Sequence, residues 1–190
     1  MKKYILITVL SLVAYTGFSQ SAFGIVSYTL PEGWYAKQTG DNTELLKKGM
    51  ESANCKIVFF KPVKIVTDTE PIYTKYREEL VRSSRLEITS SSAVQKQYGP
   101  GWTSFSGLQN IGTKGSAYRI AFYSISDTKQ TIFFAVYSTG EELCANELDV
   151  IIQTINLTEL SAAQSGDKTK AAKRKIRLLP LKSLKPLVNS

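Results

Sequence analysis

The chain has 190 residues, 43% of them hydrophobic and 21% charged, which is enough for one domain of ordinary size and excludes wholesale disorder. Histidine is absent and cysteine occurs twice, so Ser-His and Cys-His nucleophile pairs, imidazole bases, unaided structural zinc sites and iron–sulfur clusters are all excluded. The formal net charge of +8 belongs to the ends, because Gln20–Leu160 carries 14 basic and 15 acidic side chains, a net −1.

Residues 1–19 have the pattern of a secretory signal peptide: Lys2 and Lys3, an apolar run Tyr4–Ala14, then small Gly17 and Ser19 before Gln20. The apolar run is shorter than the roughly 20 residues that span a membrane. No cysteine follows it, so a lipid anchor at that point is not expected. The protein is expected to be exported, to the periplasm or the extracellular space.

A single domain is then expected over 20–160. Phe23–Leu30 reads as an opening strand, Pro31-Glu32-Gly33 as a turn, and Thr43–Lys48 and Asn54–Lys61 as further strands. In the last of these Cys55, Ile57 and Phe59 share one face while Val58 and Phe60 take the other. Apolar residues on both sides predict a strand in the middle of a sheet covered on each face. Glu70–Arg85 fits a helix, capped by Asp68 or Thr69, with Pro71 in its first turn and a stripe of Ile72, Tyr76 and Leu80 widened by Tyr73 and Val81.

Ser90–Ser92 reads as loop. A hairpin is expected over Trp102–Ser124, joined at Asn110–Gly115, and Ser126–Lys129 is a tight connection into the strand Gln130–Tyr137. Thr139-Gly140-Glu141-Glu142 is a capping box that opens a closing helix with the stripe Cys144, Leu148, Ile151, Ile152 and Ile155. The order predicts an α+β fold, a largely antiparallel sheet with a helix on each face.

An opening strand running into Tyr28-Thr-Leu-Pro31-Glu-Gly33-Trp34, then a central strand, a helix, a meander ending in Thr131–Tyr137 and a closing helix, resembles the PsbP-like domains across about Phe23–Leu157. The resemblance implies an α/β/α sandwich and a non-catalytic binding, assembly or accessory role. No binding residue carries over from it.

Residues 161–190 hold eight Lys/Arg against Asp167 alone, a net +7 in a Ser/Ala/Lys-rich segment. This segment is expected to be a disordered basic tail, with contact to an anionic membrane surface as its functional reading and nucleic acid not expected. Cys55 and Cys144 are expected on one helix–sheet layer, either bonded to each other or as two buried thiols.

Other motifs are better explained structurally. Ser126-Asp127-Thr128-Lys129 has the Ser-x-x-Lys spacing of penicillin-recognising enzymes, with Lys114-Gly115-Ser116 imitating their second motif, but it joins two strands where that chemistry needs a helical turn. Glu78-Glu79 and Glu141-Glu142 point about 100° apart on a helix, so neither pair converges on one atom. Gly99-Pro100-Gly101 presents Tyr98 and Trp102 as a candidate aromatic ligand contact, with inward packing of Trp102 as the structural alternative. No catalytic residue, metal or cofactor is expected. The reading is an exported, non-catalytic binding or accessory protein of the bacterial envelope or secreted space, acting on an unidentified protein or small ligand. A small carboxylate-dependent hydrolase and an inhibitor or immunity-type protein are the alternatives.

Overall fold

Runs of β-branched and aromatic residues separated by Gly, Pro and Asp turns dominate the chain, and strands dominate the computed structural model. It describes residues 20–51, 55–65, 68–84, 87–112, 118–139, 142–158 and 173–185. The signal-peptide pattern at 1–19, the Lys114-Gly115-Ser116 imitation, Glu141 and the first part of the basic segment lie outside the described residues.

The opening run is a hairpin, not one strand. β1 (Gln20–Phe23) pairs with β2 (Val26–Thr29), with Phe23 opposite Val26. Gly24 makes the turn at φ +55°, and a Cβ there would lie 2.8 Å from Ile132 Cδ1 and 2.9 Å from Pro62 Cγ. Only glycine suits both the left-handed backbone and that close approach. The Pro-x-Gly turn is as expected: Trp34 donates its backbone N–H to Pro31 O at 3.2 Å, and Gly33 sits at φ +80°.

β3 (Trp34–Thr39), β4 (Asn42–Lys47) and β5 (Lys56–Phe59) follow, then the short β6 (Val63–Lys64). Helix α1 (Thr69–Ser84) is capped by Asp68, whose Oδ1 accepts from the Glu70 N–H at 3.1 Å. β7 (Ile88–Ser91), β8 (Gln95–Gly99), β9 (Trp102–Ile111), β10 (Tyr118–Ser126) and β11 (Gln130–Thr139) complete the meander. The expected loop at Ser90–Ser92 is therefore largely the edge strand β7. Its polar side chains hide that role: Asn110 Nδ2 donates to Ser90 Oγ at 2.7 Å, and Leu108 N donates to Ser92 Oγ at 2.8 Å. α2 (Glu142–Thr154), β12 (Asn156–Thr158) and β13 (Lys173–Arg174) close the chain.

Nine strands form one sheet in the order β3-β4-β5-β11-β10-β9-β7, with β6 also on β11 and β8 also on β9. The other four form a second sheet, β1-β2-β12-β13. Every pairing among the described residues is antiparallel.

Alternation along the central strands sorts the core into two clusters. Phe105, Phe122, Phe133 and Ala135 pack with Tyr73 and Val81 of α1. Their neighbours Tyr123, Phe134 and Val136 pack with Cys144, Leu148, Ile151 and Ile152 of α2. β5 lies between β4 and β11, as its doubly apolar sequence requires: Ile57 and Phe59 join the α2 cluster, and Phe60 packs on the other. The centre of the α1 stripe differs from expectation. Tyr73 and Val81 are buried while Ile72, Tyr76 and Leu80 are half-buried, because the Tyr73 hydroxyl reaches the Phe122 carbonyl at 2.9 Å and draws that line inward.

The largest departure is at the C-terminal end. Residues 173–185 are not a free tail. Ile176, Leu178, Leu181 and Leu184 are buried in the α2 cluster, and Leu181–Ser183 forms a 3₁₀ turn. Asp149 of α2 accepts the Leu181 N–H at 2.6 Å, and the Tyr123 hydroxyl donates to Leu179 O at 2.9 Å. Lys and Arg alternate with buried aliphatics, so one side of this strap is core and the other is wet.

Buried phenols give the fold an alkaline limit. Burial raises Tyr73 and Tyr123 well above the usual phenol range, the latter helped by the charge on Asp149, and it pushes Tyr137 up to about 12. Unfolded tyrosines ionise near pH 10, so above that pH the unfolded chain has released protons that the fold retains, and stability falls. Urea midpoints are expected to drop between about pH 9 and pH 11 through these groups. Equal midpoints would remove the phenols from the account.

Candidate functional site

The β8–β9 hairpin turns through Pro100-Gly101, with Gly101 at φ +73° as the position after a proline demands in such a turn. Gly99 pairs with Trp102 and Tyr98 with Thr103. Tyr98 is 79% exposed, the most exposed large hydrophobic side chain described. Trp102 is half-buried and packs against the α2 cluster. The inward alternative is thus met in part, and the same indole also lines the surface.

Tyr98, Gly99, Gly101, Trp102 and Thr103 line an open cleft of about 280 Å³, completed by Asp127 and Thr128 from the β10–β11 turn. The sequence reading missed those two. Their signal lies in the meander register: Ser126 pairs with Thr103, so the residues after Ser126 must lie beside the hairpin tip.

The cleft wall is fixed by small contacts. An added Cβ at Gly99 would overlap Trp102 Nε1 and lie 2.7 Å from Cε2 and 2.9 Å from Cζ2. The indole thus rests on the glycine backbone. Gly99 has no left-handed φ, so Gly99→Ala tests that contact alone. It is expected to displace the indole and cost about 1–3 kcal/mol, read as a lower urea midpoint. An unchanged midpoint and unchanged tryptophan emission would mean that the indole is not held there.

Asp127 is the one carboxylate in the lining, and its Oδ1 already accepts from Lys129 N at 2.7 Å and Gln130 N at 2.8 Å. A two-carboxylate hydrolytic mechanism has no second member there. The Ser-x-x-Lys imitation is this same turn, and Ser126 Oγ is within 2.8 Å of Thr131 Oγ1, on the β11 side of the turn. Glu79 reaches Lys75 at 3.9 Å across one helical turn, not a second acid. Among the described residues no three His, Cys, Asp or Glu side chains converge, and no helix is long and apolar enough to cross a membrane.

Cys55 and Cys144 are joined in a disulfide, with Cα atoms 5.9 Å apart and both residues buried. The alternative of two free thiols is set aside. Cys144 lies in the first turn of α2 and Cys55 just before β5, so the bond ties the helix to the middle of the large sheet.

No protein-family model matches the chain, and no curated protein matches it in sequence. Solved structures do resemble it. The solution structure of cyanobacterial PsbP (CyanoP) from Synechocystis sp. PCC 6803 superposes with a TM-score of 0.53 at 7% identity, covering 73% of this chain and 91% of that one. A crystal structure from Bacteroides thetaiotaomicron VPI-5482 gives a TM-score of 0.45 at 12% identity, over 72% of this chain and 46% of the other. The antiparallel sheet, the two helices and the superposition on CyanoP together make this a PsbP-like α+β fold.

Proposed function

We propose that the protein is an exported, non-catalytic binding or accessory protein that engages its ligand through the Tyr98–Trp102 tip. The observation that carries this reading is an almost fully exposed tyrosine on a tight hairpin, beside an indole that lines the same cleft. Large aromatics on rigid turns lose little entropy on binding and supply contact area, which is why they recur at recognition surfaces. The disulfide supports an oxidising compartment, the periplasm or the extracellular space. The PsbP-like fold supports an accessory role over a catalytic one. The two core clusters support a three-layer arrangement, with α1 on one face of the large sheet and α2 on the other.

The partner is a protein or a small ligand. A photo-cross-linking phenylalanine analogue at position 98, introduced in the native cell, is expected to give a discrete adduct. The same analogue at the exposed Lys37 of β3 is expected to give none. The Tyr98 side chain is 79% exposed and an aromatic ring replaces an aromatic ring, so the exchange leaves the domain intact. Identical adducts at both positions, or none at 98, would overturn the tip as the contact.

A further inference from the structure

Residues 173–185 contain six Lys/Arg and no Asp or Glu, on a body close to neutral. In solution a segment of that composition would be expected to offer both its charges and its aliphatic side chains to a membrane. The fold separates the two. Ile176, Leu178, Leu181 and Leu184 are committed to the core, and Lys175, Arg177, Lys182 and Lys185 are exposed. Among the described residues none of the four forms a salt bridge, and Lys182 alone acts at longer range on a carboxylate, that of Asp149. Asp149, the acid that faces the strap from α2, is buried beneath it with its Oδ1 on the Leu181 amide.

Exposure alternates with burial over Lys175, Ile176, Arg177 and Leu178, so Lys175 and Arg177 lie on the same, wet side of the strap, two residues apart. With Gln153 of α2 they line a hollow of about 380 Å³. Val150, one helical turn before Gln153, is 52% exposed. Ile176, Leu178 and Pro180 complete the lining, so this face holds two cations, an amide and a small apolar floor. The strap has no aromatic residue, so it lacks the stacking platforms with which single-stranded nucleic acid is held.

We infer that the outer face of the C-terminal strap docks the protein on an anionic phospholipid surface, electrostatically and without insertion. Phosphate headgroups offer a two-dimensional array of charge that needs no shaped pocket, and each Lys or Arg near such a surface adds about fivefold to the affinity. The inference is independent of the Tyr98–Trp102 contact, and each can fail without the other. It differs from tail insertion in one respect that can be measured: binding must depend on salt and lipid charge, and not on the aliphatic side chains.

The test is flotation of the protein, isolated from the cells that make it, with equimolar phosphatidylglycerol–phosphatidylcholine vesicles and with phosphatidylcholine alone. Binding is expected to the anionic vesicles only, and to be lost at about 0.5 M salt, where surface charge is screened within a few ångströms. The double variant Lys175→Gln, Arg177→Gln is expected to bind about 20- to 30-fold more weakly with an unchanged melting temperature, since both side chains are exposed. Should that variant misfold, the salt dependence of the unmodified protein still decides. Equal binding to neutral vesicles, no binding to anionic ones, or retention by the variant would overturn the inference. So would displacement from the vesicles by millimolar inorganic phosphate, which would make the hollow a site for the free anion. Binding of heparin or DNA in place of vesicles would assign the face to another polyanion and overturn it equally.

Discussion

A chain cut before Lys173 is expected to lose cooperative folding. The strap buries four aliphatic side chains, Ile176, Leu178, Leu181 and Leu184, in the same cluster as Leu148, Ile151 and Ile152 of α2. Burial of each is worth about 1.5–3 kcal/mol, so the four together supply roughly 6–12 kcal/mol before the entropy of ordering the strap is set against them. Whole domains are stable by only about 5–15 kcal/mol. Truncation also strands polar groups inside: Tyr123 loses the Leu179 carbonyl, and Asp149 loses the Leu181 amide. Each such orphan costs about 1–3 kcal/mol where water does not reach it.

Leu178→Ala isolates the packing part of that effect. It removes a side chain that is 3% exposed and leaves the strap's charges in place. A loss of about 2–5 kcal/mol is expected, a fall in melting temperature of roughly 5–15 °C. A truncated chain that melts within about 2 °C of the intact one would show that the strap is not part of the domain in solution.

The strap also marks where the sequence stops being legible. Ile176 and Leu178 alternate with Lys175 and Arg177, which is the pattern of a half-buried extended segment. Eight basic residues within 161–190 mask it, because composition averages over a window in which the charged half is wet and the apolar half is not. What the aliphatic side chains would cover is set by α2, and α2 reaches them only through the tertiary fold. The same limit hides β3 and β7. Their side chains are mostly polar and only one side of each pairs within the sheet, so neither strand carries a strong apolar period.

The elements that were legible are those whose burial is written locally. Cys144, Leu148, Ile151, Ile152 and Ile155 recur at helical spacing, and all five are buried. Ile57 and Phe59 join one cluster and Phe60 packs on the other because β5 has neighbours on both edges and cover on both faces. Tyr98 and Trp102 were visible from Gly-Pro-Gly alone, which forces a tight turn whatever the surroundings. Asp127 and Thr128 were not, since they join the cleft through the pairing of β9 with β10.

Replacing both cysteines is expected to cost nearly as much as a large core cavity. The Cys55–Cys144 bond spans 89 residues in sequence, and the loop it closes holds α1 and all of β5–β11. Chain entropy assigns such a closure about 4–5 kcal/mol at 25 °C, through the freedom removed from the unfolded chain. Cys55→Ala, Cys144→Ala is therefore expected to melt roughly 10 °C or more below the parent, with the same fold at low temperature. Non-reducing mass spectrometry of the parent should find two hydrogens fewer than the reduced mass and no free thiol. Both cysteines are buried, so a reductant should reach the sulfurs only as fast as the domain opens, and added urea should accelerate reduction sharply. Rapid reduction of the native protein without loss of structure would place the sulfurs at the surface and separate the first turn of α2 from the sheet. A double variant as stable as the parent would mean that the unfolded chain already keeps β5 close to α2, leaving the bond little entropy to remove.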